Sequence, residues 1–182
     1  MRKISISIII FFVCLGMIGC VKEKEQGSSS GFAEELGEIN VPIMSTSILS
    51  SNESEQKKWL ADIYEFEINT LRSKTSGLSE SDLQAVSSHL SEVFGSELAA
   101  LLIEGFYDYD EKEKSYYVPD GSWFTYNERW PGSHLTEINR TDDTVTLKLT
   151  GVDDYGGNDR EIDFSFKINN DRLLLEKRSV IK

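Results

Sequence analysis

The sequence predicts an α+β domain, with N-terminal helices packed on one face of a C-terminal antiparallel β-sheet. Three observations carry this. Between residues 53 and 103 apolar side chains recur at helical spacing. After Gly105 the period changes to two: Val145, Leu147 and Leu149, then Ile162, Phe164, Phe166 and Ile168, alternate with polar residues. Short turn-forming runs separate the alternating segments, so successive strands pair as neighbours in a sheet with one buried face. The helical stripes have no other apolar surface to cover, and they are expected on that face.

The chain opens with MRKISISIIIFFVCLGMIGC. Arg2 and Lys3 precede an apolar run from Ile4 to Ile18, shorter than the ~20 residues of a membrane-spanning helix. Gly19 and Cys20 end it, which is the layout of a secretory signal with a small residue before the cut. A cysteine directly after that residue resembles the lipobox of bacterial lipoproteins, with Met17 where Leu is usual. The resemblance implies a signal peptide over residues 1–19 and a lipidated, palmitate-bearing Cys20 as first residue of the mature chain. The protein is then extracytoplasmic and lipid-anchored at the cell membrane, on the outer face of the cytoplasmic membrane in a Gram-positive cell. Val21 supplies no Asp retention signal, so a two-membrane cell would sort it to the outer membrane.

Residues 20–51 read as the lipidated Cys and a flexible tether. VKEKEQGSSSG is polar and aperiodic. Within the tether, Val41-Pro42-Ile43-Met44 has the character of an extended segment docking on an edge, because Pro is confined to edge strands. Residues 52–182 then form a single α+β domain. Asn52 with Glu55 is a capping-box pattern for a helix from Glu53 to Leu71, where Leu60, Ile63, Tyr64 and Leu71 recur at helical spacing with Trp59 beside them. Ser79 with Asp82 starts a second helix, where Leu78 can staple to Leu83 and the stripe is Leu83, Val86, Leu90, Val93 and Phe94. Gly95 stops it, and Ser96 is expected to cap a third helix with Leu98, Leu101, Leu102 and Ile103 on its apolar face.

Lys114–Val118 and Ser122–Tyr126 are expected to pair across the Pro119-Asp120-Gly121 turn. His134–Arg140 reads as a weaker strand, followed by the turn Thr141-Asp142-Asp143. The two alternating strands described above come next. Asn169-Asn170-Asp171 turns the chain into a last strand with Leu173 and Leu175 inward.

Composition narrows function more by exclusion than by assignment. The formal charge is −12, and removal of residues 1–19 with Arg2 and Lys3 moves it to −14. This opposes nucleic-acid binding and flat docking on anionic lipid, and fits a solvated, soluble surface or a basic protein partner. Of the two cysteines, Cys14 lies in the signal and Cys20 is the lipid site. Disulfides, thiol catalysis, iron–sulfur clusters and Cys-ligated zinc are excluded from the domain.

No H-E-x-x-H, G-x-S-x-G, S-x-x-K or phosphate-cradling Gly loop is present. His89 reads as a surface residue, and His134 as a loop residue without a matched acid or base partner. The sequence therefore predicts a non-enzymatic protein with no catalytic residues, cofactor or metal; a paired-carboxylate glycan hydrolase is the enzymatic alternative. Asp108-Tyr109-Asp110-Glu111 and Asp153–Asp159 hold enough oxygens for a hard cation but lack EF-hand spacing, and they read as solvated acidic loops.

Two segments stand out as binding candidates. Gly151–Asp159 joins two well-formed strands, exceeds the usual hairpin length, and carries Asp153, Asp154, Tyr155 and Asp159; it is either a binding loop or an ordinary flexible hairpin end. Between Phe106 and Trp130 lie nine aromatic residues, and strand alternation can bury only about half of them. Trp123 and Trp130 either join the core or line a groove for peptide or glycan.

The second half of the chain resembles a family. A helix ends at Val93-Phe94-Gly95, and a helix with Leu98, Ala99, Leu101 and Leu102 follows. Next come the Phe106 segment, Tyr117-Val118-Pro119-Asp120-Gly121 with Trp123, and a sheet with one long loop. This order, over residues 88–182, resembles the IseA-type inhibitors of cell-wall DL-endopeptidases. Those extracytoplasmic Gram-positive proteins block NlpC/P60 hydrolases with a loop between strands. The resemblance implies a basic cell-wall hydrolase as partner and Gly151–Asp159 as the inhibitory loop. The lipobox departs from the plain secretory signal of that family and favours a membrane-held inhibitor. The helices-then-meander order is also similar to NTF2-like domains. That alternative implies a small apolar or peptide ligand in an interior pocket lined by Phe164, Phe166 and the helix stripe.

Overall fold

The computed structural model describes residues 29–120, 132–152 and 157–181. The fold is α+β: among the described residues four helices precede a four-stranded antiparallel sheet, with a two-stranded ribbon between them in the chain. The N-terminal twenty residues, Cys20 included, lie outside the described part. No helix among the described residues is long and apolar enough to cross a membrane.

The helices start where their capping chemistry places them. Helix α2 (Glu53–Arg72) has the full box: Asn52 Oδ1 accepts from the Glu55 N–H at 3.0 Å and Glu55 Oε2 from the Asn52 N–H at 3.3 Å. Helix α3 (Glu80–Leu90) repeats it with Ser79 and Asp82. Each box satisfies two of the four N–H groups that a helix start leaves unpaired. Asp82 also accepts from Lys74 Nζ at 2.7 Å. Burial of this carboxyl works to raise its pKa, but the Lys74 and Ser79 hydrogen bonds outweigh it and hold the group below its ordinary value.

Helix α4 (Ser96–Phe106) differs from expectation at both its cap and its face. Its N-cap is Gly95, not Ser96, and makes no side-chain cap bond. The reason lies in the sheet: the Gly95 N–H donates to Leu175 O (2.9 Å) and the Leu175 N–H to Val93 O (3.0 Å), which holds 93–95 extended. A Cβ at Gly95 would meet only the exposed Glu176 carboxylate, which can swing aside, so the sheet hydrogen bonds rather than the glycine set this geometry. The buried residues of α4 are Ala99 and Phe106, while Leu101 is 56% exposed.

The folded chain begins earlier than residue 52. Residues expected as tether form helix α1 (Ser29–Gly37), whose Phe32 and Leu36 are buried and which packs on α3. The chain then runs without regular secondary structure through residues 41–44 into a 3₁₀ turn at Thr46–Ser50. As expected for an edge segment, Met44 O accepts from the Leu173 N–H and Asp171 O from the Thr46 N–H, both at 2.9 Å.

The ribbon pairs β1 (Asp108–Asp110) with β2 (Ser115–Tyr117). Lys114–Val118 was expected to pair with Ser122–Tyr126 instead. The other edge of β2 is also taken, because Tyr116 exchanges both backbone hydrogen bonds with Leu78. Residues 122–126 lie outside the described part.

The main sheet is a meander in the order β3 (His134–Arg140), β4 (Thr144–Val152), β5 (Asp159–Asn169), β6 (Arg172–Val180). Its inner face is the predicted one: Val145, Leu147, Leu149, Ile162, Phe164, Phe166, Leu173 and Leu175 are all buried. The α2 stripe meets it, with the Trp59 and Phe166 rings 5.0 Å apart. Segments 44–46 and 93–95 cover the outer edge of β6. The β3 edge carries a bulge between Glu137 and Asn139, and an Arg140–Glu137 ion pair.

Candidate binding surfaces

The β4–β5 hairpin is the most regular part of the sheet. Its ladder runs without a shift from Thr144↔Lys167 to Val152↔Asp159, whereas β3–β4 and β5–β6 each contain an irregularity. Alternation over nine residues of β4 and eleven of β5 fixes that register, because a one-residue slip would turn every apolar side chain to solvent. Asp159 opens β5, is exposed, and pairs with Val152 at the end of the ladder. Gly157, just before it, takes the left-handed conformation (φ 63°). Asp153, Asp154 and Tyr155 fall outside the described residues, as do Trp123 and Trp130.

Near the end of this hairpin the described residues expose three aliphatic side chains beside the exposed Asp159. Val152, Val180 and Ile181 are exposed, and Val180 lies opposite Ile162 while the Ile181 N–H donates to Glu161 O at 2.8 Å. On the outer face Lys148 Nζ bonds Glu161 and lies 3.6 Å from Asp163 Oδ1. The Glu161 hydrogen bond, with the nearby Asp163 charge, pushes the Lys148 pKa up and keeps the ammonium charged.

The aromatic segment splits between core and surface. Phe106 and Tyr107 are buried and meet edge to face at 5.1 Å. The Tyr107 hydroxyl donates to Leu71 O, and burial pushes its pKa up. Tyr109 and Tyr117 are exposed, and the Tyr109 ring rests 5.0 Å from Tyr116.

His89 is buried, not on the surface. The flank of α3 that reads as solvent-facing meets Phe66 of α2, whose ring centroid is 5.0 Å from the imidazole. Nδ1 lies 3.1 Å from Glu92 Oε1, and Nε2 has no hydrogen-bond partner among the described residues. This favours an Nδ1–H tautomer donating to Glu92. His134 is exposed, with Nδ1 3.5 Å from Glu53 Oε1. Glu53 also accepts from the Leu135 N–H at 3.0 Å, and that bond, with Lys57 and His134, holds its carboxyl below the ordinary value against a smaller effect of burial. The carboxylate ties α2 to β3.

Of the two acidic segments, Asp108–Glu111 forms β1 and its turn, where Asp110 Oδ1 accepts from the Lys112 and Glu113 N–H groups at 2.8 and 3.2 Å. Among the described residues no three His, Cys, Asp or Glu side chains converge to hold a metal ion.

Phe164 and Phe166, expected to line an interior pocket, are fully buried in the packed core. A hollow of about 620 Å³ lies elsewhere, between α2 and residues 40–48, and neither phenylalanine lines it. The sequence reading missed this groove because it treated residues 40–48 as tether. The one available signal was the Val-Pro-Ile-Met edge segment ahead of a Trp-bearing helix.

No protein-family model matches this chain, and no curated protein matches it in sequence.

Proposed function

We propose that this protein is a non-enzymatic binding module, anchored to the outer face of the cell membrane through lipid on Cys20. In this reading it regulates a basic cell-wall DL-endopeptidase of NlpC/P60 type by inserting the β4–β5 loop into the substrate cleft. The observation that carries the reading is the unbroken ladder from Thr144↔Lys167 to Val152↔Asp159. It fixes the register of both strands that carry the connection, and so the place on the sheet where the connection begins and ends. Exposed Val152, Val180 and Ile181 beside that base supply apolar contact area.

Asp153 and Asp154 would steer encounter with a basic cleft, and Tyr155 would hold the complex as an aromatic anchor. A ligand site inside the sheet has less support, because Phe164 and Phe166 are already packed. The test is association kinetics between the fragment beginning at Val21 and a purified endopeptidase of this type. The on-rate is expected to fall with salt, and to fall in Asp153→Asn/Asp154→Asn with little change in off-rate. An on-rate indifferent to both would remove electrostatic steering from the account.

A further inference from the structure

The groove between α2 and the segment 40–48 is built, not incidental. Three side chains or backbone groups fix the segment against the rest of the fold. Trp59 Nε1 donates to Ile43 O at 3.0 Å, and Gln56 Nε2 donates to Ile48 O and Leu49 O at 3.2 and 3.1 Å. Met44 O is held by β6. A site held this way exists before any ligand arrives, and its volume is in the range of ordinary ligand pockets.

Its chemistry is two-sided. Val41, Ile43 and Ile48 supply apolar surface, with the largely buried Trp59 behind them. Ile43 is 81% exposed although both of its neighbours, Pro42 and Met44, are buried. The pinned backbone thus holds an aliphatic side chain out at the rim. The α2 wall presents Glu55, Lys58, Asp62 and Glu65. Lys58 is paired with Asp62 at 3.1 Å, so the excess negative charge rests on Glu55 and Glu65. Glu65 is exposed and has no ion pair or hydrogen bond among the described residues. Ten residues of helix separate Glu55 from Glu65, roughly 15 Å of rise. Four or five residues of extended peptide span about the same distance.

We propose that this groove docks an extended peptide segment of a partner protein, with a lysine or arginine between aliphatic residues. The cation meets Glu65 on the α2 wall, and the flanking aliphatics meet Ile43, Val41 and Trp59. The site is remote in sequence from the β4–β5 loop and stands independently of the function proposed above.

The test is fluorescence anisotropy with a fluorescein-labelled Leu-Lys-Val-Arg-Leu peptide, titrated with the full chain in non-ionic detergent. A Leu-Glu-Val-Glu-Leu peptide serves as control. The basic peptide is expected to bind and the acidic one not. Glu65→Lys is expected to weaken binding roughly tenfold by reversing an exposed charge. Ile43→Ser is expected to weaken it as well, including at high salt. Both positions are exposed, so both variants are expected to keep the wild-type melting temperature. Shortening the β4–β5 loop is expected to leave this affinity unchanged. Equal binding of the acidic peptide, equal affinity in Glu65→Lys, or no binding of the basic peptide at millimolar protein would each overturn the proposal.

Discussion

Arg178 lies on the inner side of β6, opposite Phe164, and reaches back to α2. Its Nη1 and Nη2 donate to the two oxygens of Glu67 at 2.7 and 3.2 Å. Both side chains are nearly buried, at 11% and 5% exposure, so the pair is shielded from solvent screening. Replacing Arg178 by Met keeps much of the apolar stem but leaves a carboxylate buried without its main partner. Breaking a buried pair in this way costs about 3–5 kcal/mol. For a domain of this size that corresponds to a fall in melting temperature of roughly 10 °C. The double variant Glu67→Leu/Arg178→Met removes both charges, and its stability is expected within about 1 kcal/mol of wild type. Urea unfolding of the wild type, both single variants and the double variant yields the coupling energy directly. A single Arg178→Met variant costing under about 1 kcal/mol, or a double variant costing the sum of the singles, would refute the assignment of this pair as a desolvated ion pair.

Four further outcomes are expected. Asp82→Ala removes an acceptor of the Ser79 N–H and the partner of Lys74, and is expected to cost about 1–2 kcal/mol at neutral pH. Because the folded carboxyl titrates below its ordinary value of 3.8, this contribution is present above that pH and lost as pH falls through the folded value; thermal melts of wild type and variant are expected to converge in acid. Phe166→Ala, which empties the site facing Trp59, is expected to cost about 3–5 kcal/mol in denaturant unfolding. By contrast Leu101→Ala, on the exposed side of α4, is expected to stay within about 0.5 kcal/mol. Cys20→Ser is expected to abolish incorporation of a labelled fatty acid and release the protein from the membrane fraction; continued labelling would reject Cys20 as the lipid site.

What was legible in the sequence was legible for physical reasons. Strict alternation in β4 and β5 leaves one register with a buried face, so both strands and their pairing followed from the pattern. Asn52–Glu55 and Ser79–Asp82 marked two helix starts because the boxes are local chemistry. Helix α4 failed the same treatment. Leu98 through Ile103 is apolar all round, so periodicity cannot select a face, and the sheet contact at Leu175 decided it. Helix α1 is nine residues long and would be marginal alone; Phe32 and Leu36 hold it against the domain. His89 followed from the same kind of miss, since a one-stripe reading of α3 does not show that Phe66 reaches its flank. The Val-Pro-Ile-Met pattern marked residues 41–44 as an edge segment, but the groove depends on which strand that segment docks on, β6, and local pattern does not encode a long-range partner. At the loop candidate, the flanking register was legible, while Asp153, Asp154 and Tyr155 themselves rest on composition and length.

The most direct test of the proposed function is cleavage of cell-wall peptide by an NlpC/P60 DL-endopeptidase, with and without the fragment beginning at Val21. A second form of the fragment replaces residues 153–158 by Asn-Gly, which preserves the Val152↔Asp159 pair and closes a tight hairpin. The account predicts that the wild-type fragment slows cleavage and the shortened one does not. Equal inhibition by both forms, or none by the wild type across several such enzymes, would contradict it.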